Sequence, residues 1–195
     1  TPLVTIGVGT GVAALIAPAL GKAAMKIGEL IMLATNLQPF LMGIAVSVLV
    51  GIALTLPISS AAICAAFGLT GLAGGAAVAG CCAQMVGFAV MSFKENRWGG
   101  LVSQGIGTSM LQMGNIIKNP SIWIAPIVTS AITGPMATCL FKLQMNGTPV
   151  SSGMGTCGFV GQIGVYSGWV NDIANGTKAA ITGFDWAGLI FISFI

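Results

Sequence analysis

No charged residue stands between Glu29 and Lys94. Further uncharged runs extend from Trp98 to Ile117, from Asn119 to Phe141 and from Leu143 to Asn171. A transmembrane helix needs about 20 apolar residues, so the first run alone has room for two or three crossings. Only 6% of the residues are charged and 55% are hydrophobic, whereas a soluble domain carries about 25% charge. Mean hydropathy is +0.97. These features specify an all-α, polytopic transmembrane helical bundle. A β-barrel does not fit, because its strands alternate polar and apolar residues and these runs are apolar all round. The net charge of +3 is too small to point to nucleic acid. The lysines fall at segment ends, as topology signals do.

Taken in order, residues 3–20 are long enough for a span and carry a G-x-x-x-G pair at Gly7 and Gly11, which suits close helix packing. Lys22, Lys26 and Glu29 share one helical face, most simply an interfacial turn; the alternative places Glu29 inside the bundle as a functional acid. Residues 37–56 are a plain span with Pro39 near its start. Residues 58–93 exceed one crossing and are expected to divide at Gly74-Gly75. Small residues at Gly71, Gly75, Ala79, Ala83 and Gly87 make a packing stripe. Placing Lys94 and Arg97 on the side of Lys22 and Lys26 requires an even number of crossings between them. Residues 37–56 and 76–93 supply two, so residues 58–73 are expected to form a re-entrant element. Residues 100–117 and 121–141 then pair as a hairpin turning at Lys118-Asn119-Pro120, which returns Lys142 to the side of Lys94.

Residues 148–170 hold six glycines, too many for a straight isolated helix at about 1 kcal/mol each against Ala. A second re-entrant element is expected over about 148–164, with turns at Asn146-Gly147 and Asn175-Gly176. Two broken, uncharged segments in one membrane chain point to a transport site. Thr1 enters an apolar stretch directly and Ile195 stops inside WAGLIFISFI. The expectation is therefore one membrane-embedded domain over residues 1–195, cut from a longer protein at both ends.

The chemistry-bearing residues are few. There is no histidine, and Cys64, Cys81, Cys82, Cys139 and Cys157 lack C-x-x-C spacing. Neither a transition-metal site nor a Ser-His-Asp triad can be assembled, and no catalytic residue, metal or cofactor is expected. Gly153 to Gly158 matches G-x-G-x-x-G, but no βαβ unit surrounds it, so dinucleotide binding does not follow. Both Asn-Gly-Thr patterns read as turns. What remains is a polar face on an uncharged helix. Gln104, Thr108, Gln112 and Asn115 fall at i, i+4, i+8 and i+11, with Ser109 beside them, while Gly100, Gly107 and Gly114 open a second face. Amides and hydroxyls supply both donors and acceptors, which a neutral polyhydroxylated solute requires. Ser59, Ser60 and Gln162 on the broken elements complete the candidate solute site. The competing role for the same face is interhelical glue.

The blocks NLQPFLMGI with TLPISSAAI, GIGTSMLQMGNIIKNPSIWIAP and SSGMGTCGFVGQIG resemble the family of membrane-embedded proteins typified by the perfringolysin regulator PfoR. That family is similar to the sugar-translocating IIC subunit of the bacterial phosphotransferase system. The resemblance covers most of the chain. It implies a multi-pass protein of the bacterial inner membrane, a homodimer, a small polar solute such as a sugar, and a cytoplasmic phosphotransferase or regulatory partner. It implies a permease, at most the translocation subunit of a sugar phosphotransferase system; the alternative is a solute sensor or regulator without transport. Glucose-type IIC subunits use a histidine and a glutamate near the sugar. This chain has no histidine, and its acids lie in no recognisable sugar-site motif, so the resemblance carries translocation or sensing without a phosphoryl-transfer residue.

Overall fold

The structure, a computed structural model, describes Thr10, Lys22 and residues 25–194. The expected first span, with Gly7, Gly11 and Pro18, lies outside the described residues. The described residues are helical with no strand, as the uncharged runs require: in lipid, backbone groups must be satisfied within the segment. Helix α1 covers residues 25–37 and leaves Lys26 and Glu29 exposed. It is followed by α2 (Pro39–Thr55), α3 (Ser60–Phe67) and the long α4, which begins at Gly71. Two helical stretches, Gly71–Gly107 and Pro120–Leu140, are long and apolar enough to cross a membrane.

Helix α4 (Gly71–Val102) is the axis of the bundle, with every residue from Ala73 to Met85 buried. A helix apolar on all sides is a buried one, and its Ala, Gly and Cys side chains let neighbours approach. A Cβ on Gly80 would collide with the Ser47 carbonyl of α2, and one on Gly75 with the Leu143 carbonyl. The small-residue stripe read from the sequence therefore works as a packing surface. Helix α6 (Ile124–Pro135) closes the core: Gly87 meets Pro126, and Gly134 meets the backbone of Gly43. Large apolar side chains such as Phe40, Leu41 and Leu49 point outward, the arrangement a lipid-facing surface requires.

Three hairpins hang on this axis. The first is α2–α3. It turns over Pro57, where Ser59 caps α3 by accepting a bond from Ala62 N at 3.2 Å. It returns to Gly68, which closes α3 in the left-handed region at φ +61°. The division expected at Gly74-Gly75 falls instead at Gly68–Thr70; both Gly74 and Gly75 lie inside α4. The chain then enters α4 through a two-residue backbone pairing of Gly71 with Met145.

The second hairpin corrects the expected topology. The backbone reverses at Arg97 (φ +52°, ψ −142°), and the following helix runs back along α4, bringing Gly105 against Ala89. A π-helical turn, Ser103–Gly107, ends at Thr108, which is fully extended (φ −158°, ψ 142°). A 3-10 turn (Ser109–Gln112) and α5 (Met113–Lys118) then climb back, so that Lys118 lines a cleft with Glu95. Residues 100–117 are thus not one crossing. Lys94, Arg97 and Lys118 stand at one end of the bundle. Lys142, past the π-helical turn Met136–Leu140 that follows α6, stands at the other, near the Gly71–Met145 pairing. The expected return of Lys142 to the side of Lys94 therefore fails, because it took residues 100–117, a broken segment, for a whole span.

The third hairpin rises from the Lys142 end. It comprises α7 (Pro149–Ser152), a loop through Gly155 and Thr156, a 3-10 turn (Cys157–Phe159) and the returning α8 (Val160–Ala174). Ser151 packs on Gly164, and Asn146 on Gly168. Phe159, at φ +57°, turns the chain into α8. Helix α9 (Gly183–Phe194) packs alongside, with Gly188 against the Phe141 ring.

Candidate functional site

The second and third hairpins come from opposite ends of the bundle and meet at their tips. The Thr156 hydroxyl donates to the Gly105 carbonyl at 2.5 Å and also reaches Met85 Sδ at 3.5 Å. The two short broken segments expected from the sequence also meet. Ser60 Oγ of α3 donates to the Gly153 carbonyl at 2.7 Å, and a Cβ on Gly153 would press on the Ser60 backbone.

Beside the tips lies a buried polar cluster whose centre, Gln84, sequence reasoning passed over. Thr55 Oγ1 donates to Gln84 Oε1 at 3.3 Å, and Trp123 Nε1 donates to the same oxygen at 3.2 Å. Gln84 Nε2 donates to Ser130 Oγ at 3.4 Å. Ser109 joins through Thr55, with the hydroxyls 3.0 Å apart, and Ser47 Oγ bonds the Ser130 carbonyl at 2.7 Å. Side chains from three other elements converge on one amide, which is how a buried polar side chain is satisfied in a low-dielectric interior. Gln84 is a lone amide in an Ala/Gly/Cys run and has no periodic polar neighbour. Its only signal was being the single amide side chain between Gln38 and Asn96.

The expected polar face is divided by the break at Thr108. Gln104 stays on the descending arm, buried, and its Oε1 has no hydrogen-bond partner among the described residues. Thr108 spends its hydroxyl capping the next turn, accepting from Met110 N at 3.2 Å. Ser109 enters the Gln84 cluster. Gln112 and Asn115 lie on the returning arm, bonded to each other at 2.8 Å. They line a cleft of about 310 Å³ with Ser92, Glu95 and Lys118. Of the residues on the broken elements, Ser60 is a buried tie between hairpins, while Ser59 is an exposed cap. Gln162 donates to Ser193 Oγ at 2.8 Å and Cys82 Sγ at 3.5 Å, and its Oε1 is buried and unpartnered among the described residues. The structure brings together Ser109 with Gln84 and Gln112 with Asn115; it does not gather all eight residues into one face.

Two buried amide oxygens without donors are costly, at about 1–3 kcal/mol each. Cys64, Cys81 and Cys82 are buried in the apolar core and behave as small hydrophobes. No cluster of metal-ligating side chains occurs among the described residues.

Comparison with known proteins gives one match: the family described as Phosphotransferase system, EIIC matches residues 1–194. No curated protein and no solved structure matches the chain.

Proposed function

The chain belongs to the Phosphotransferase system, EIIC family, a membrane transporter component of phosphotransferase type, and from that membership we propose that it translocates a small neutral polar solute of the sugar class. The observation that carries this reading is the meeting of two hairpins from opposite ends at Thr156 and Gly105, with the unpartnered oxygens of Gln104 and Gln162 nearby in the chain. Broken helices at membrane depth persist only where they are buried in protein or line a water-filled cavity, and transporters place their solute between such elements. The broken segments 58–73 and 148–164, with the hairpin over residues 100–117, are then re-entrant in the bilayer, and residues 1–195 act as one membrane-embedded domain. Gln104, Ser109, Gln112 and Gln162 offer hydrogen bonds to the solute, and the tip contact is the barrier that must open. Thr108, Asn115, Ser59 and Ser60 hold the frame. The setting is the bacterial inner membrane, with a homodimer and a cytoplasmic phosphotransferase partner, as the family resemblance implies.

The test is uptake of labelled hexoses by proteoliposomes holding the full-length protein, with cytoplasmic extract supplying the partners. Flux of at least one hexose is expected, reduced about tenfold or more by Gln104→Leu, the scale set by loss of a buried polar contact. Uptake no different from empty liposomes across the whole panel would refute translocation, and binding without flux would favour the sensor.

A further inference from the structure

A second cavity, of about 570 Å³, opens at the Lys142 end, away from the Gln112–Asn115 cleft. Small-molecule sites occupy roughly 300–1,000 Å³ and combine apolar walls with a few convergent polar groups. Here the walls are aromatic. The rings of Phe141 and Phe184 stand 5.4 Å apart, and Phe184 is largely exposed. Trp169 forms the floor, with Lys178 Nζ 5.1 Å from its ring centre.

The polar groups are fixed rather than loose. Asn146 Nδ2 donates to Asp172 Oδ2 at 2.7 Å, and Lys178 is paired with Asp185 at 2.7 Å. Lys142 also lines the cavity, exposed and without an ion pair among the described residues. Its backbone is left-handed at φ +46°, a conformation uncommon for a non-glycine residue. The lining carries two lysines and two aspartates. Charges that cancel give neither a simple anion nor a simple cation an advantage. They do offer a hydroxylated molecule both acceptors and donors, against ring faces suited to its C–H surface.

We infer that this cavity is a second binding site, for a neutral hexose, formed by Asp172, Asn146 and Lys142 against the Phe141 and Phe184 rings. It rests on the reading of the chain as a carrier of a sugar-class solute, and it places a vestibule for that solute at the end opposite the Gln112 cleft. Asp172 accepts from hexose hydroxyls with the oxygen atom that Asn146 leaves free, and Lys142 donates.

The experiment is calorimetric titration of the full-length protein in detergent with a panel of hexoses. It compares wild type, Asp172→Asn, Lys142→Asn, Phe184→Ala and Gln112→Ala, each checked for an unchanged melting curve. Lys142→Asn keeps a residue that tolerates the left-handed backbone, and Phe184→Ala alters an exposed side chain, so at least one variant stays folded. The expected result is a binding component weakened about tenfold or more by the Asp172, Lys142 or Phe184 change and retained in Gln112→Ala. Binding lost only in Gln112→Ala overturns this site and leaves the transport reading standing. Absence of hexose binding in the wild type overturns both.

Discussion

Thr156 and Gly105 are 51 residues apart in sequence and joined by a 2.5 Å hydrogen bond from hydroxyl to carbonyl. The bond ties the tip of a hairpin rising from the Lys142 end to the tip of one descending from the Lys94 end. Thr156→Val keeps the shape and removes the donor, leaving the Gly105 carbonyl without it. The expected cost is about 1–3 kcal/mol of stability, together with altered hexose flux. Thr156→Ser should restore both. Thermal unfolding and uptake measured side by side check this, and a Val variant identical to wild type in both would remove the tip contact from the account.

Gln84→Leu is close in volume but strips the acceptor from Thr55 and Trp123 and the donor from Ser130. Stability should fall by about 1–3 kcal/mol. Trp123 emission should shift as its indole N–H loses its partner; unchanged emission would place Trp123 outside the cluster.

Gly80→Ala sets a methyl group against the Ser47 backbone, where neither helix has a flexible side chain to yield. Overpacking of this kind costs about 1–3 kcal/mol. Gly99→Ala meets open space and serves as the control, with a shift within about 0.5 kcal/mol. Equal melting temperatures for the two variants would contradict the close α2–α4 approach.

Gln104→Leu separates stability from function. Removing a buried acceptor that has no partner should leave the fold as stable as wild type or more so, while hexose flux drops. A variant that both unfolds readily and loses flux would assign Gln104 to the frame instead.

Asp185 gives the bundle an acid limb. Burial acts to raise its pKa, but bonds from the Lys178 and Thr182 side chains and the Thr182 backbone, with the Lys178 charge, outweigh it and hold the carboxyl below its ordinary value. A depressed folded pKa means that this contribution is present above the ordinary aspartate pKa, near 4, and is lost as pH falls through the folded value. Asp185→Asn should therefore lower the melting temperature at neutral pH and flatten its decline on acidification. Parallel pH curves for variant and wild type would exclude the pair as a source of acid sensitivity.

Much of the secondary structure was legible because local chemistry enforces it. Pro39 and Pro149 stand in the first turns of α2 and α7, and Ser59 caps α3. The glycine-dense stretch after Asn146 did break, leaving a four-residue α7 and a 3-10 turn before α8. The candidate site was legible only in part. Counting i+4 steps from Gln104 to Asn115 presupposes an unbroken helix, and the extended Thr108 removes that premise. Ser109 was recognised as polar, but its partners Thr55 and Gln84 lie on other elements. Gln84 itself carried no periodic signal.

The sequence by itself determined the solvent and the building material. Long uncharged runs have no stable place in water and must satisfy their backbones internally, so they form helices in a bilayer, broken wherever Gly and Pro accumulate. Only the tertiary structure decided how far each broken segment travels before it turns. That depends on which backbone meets a glycine, Ser47 on Gly80 or Leu143 on Gly75, and on which carbonyl a single hydroxyl finds, as Thr156 finds Gly105. Such pairings join residues far apart in the chain, and local propensity has no means to encode them.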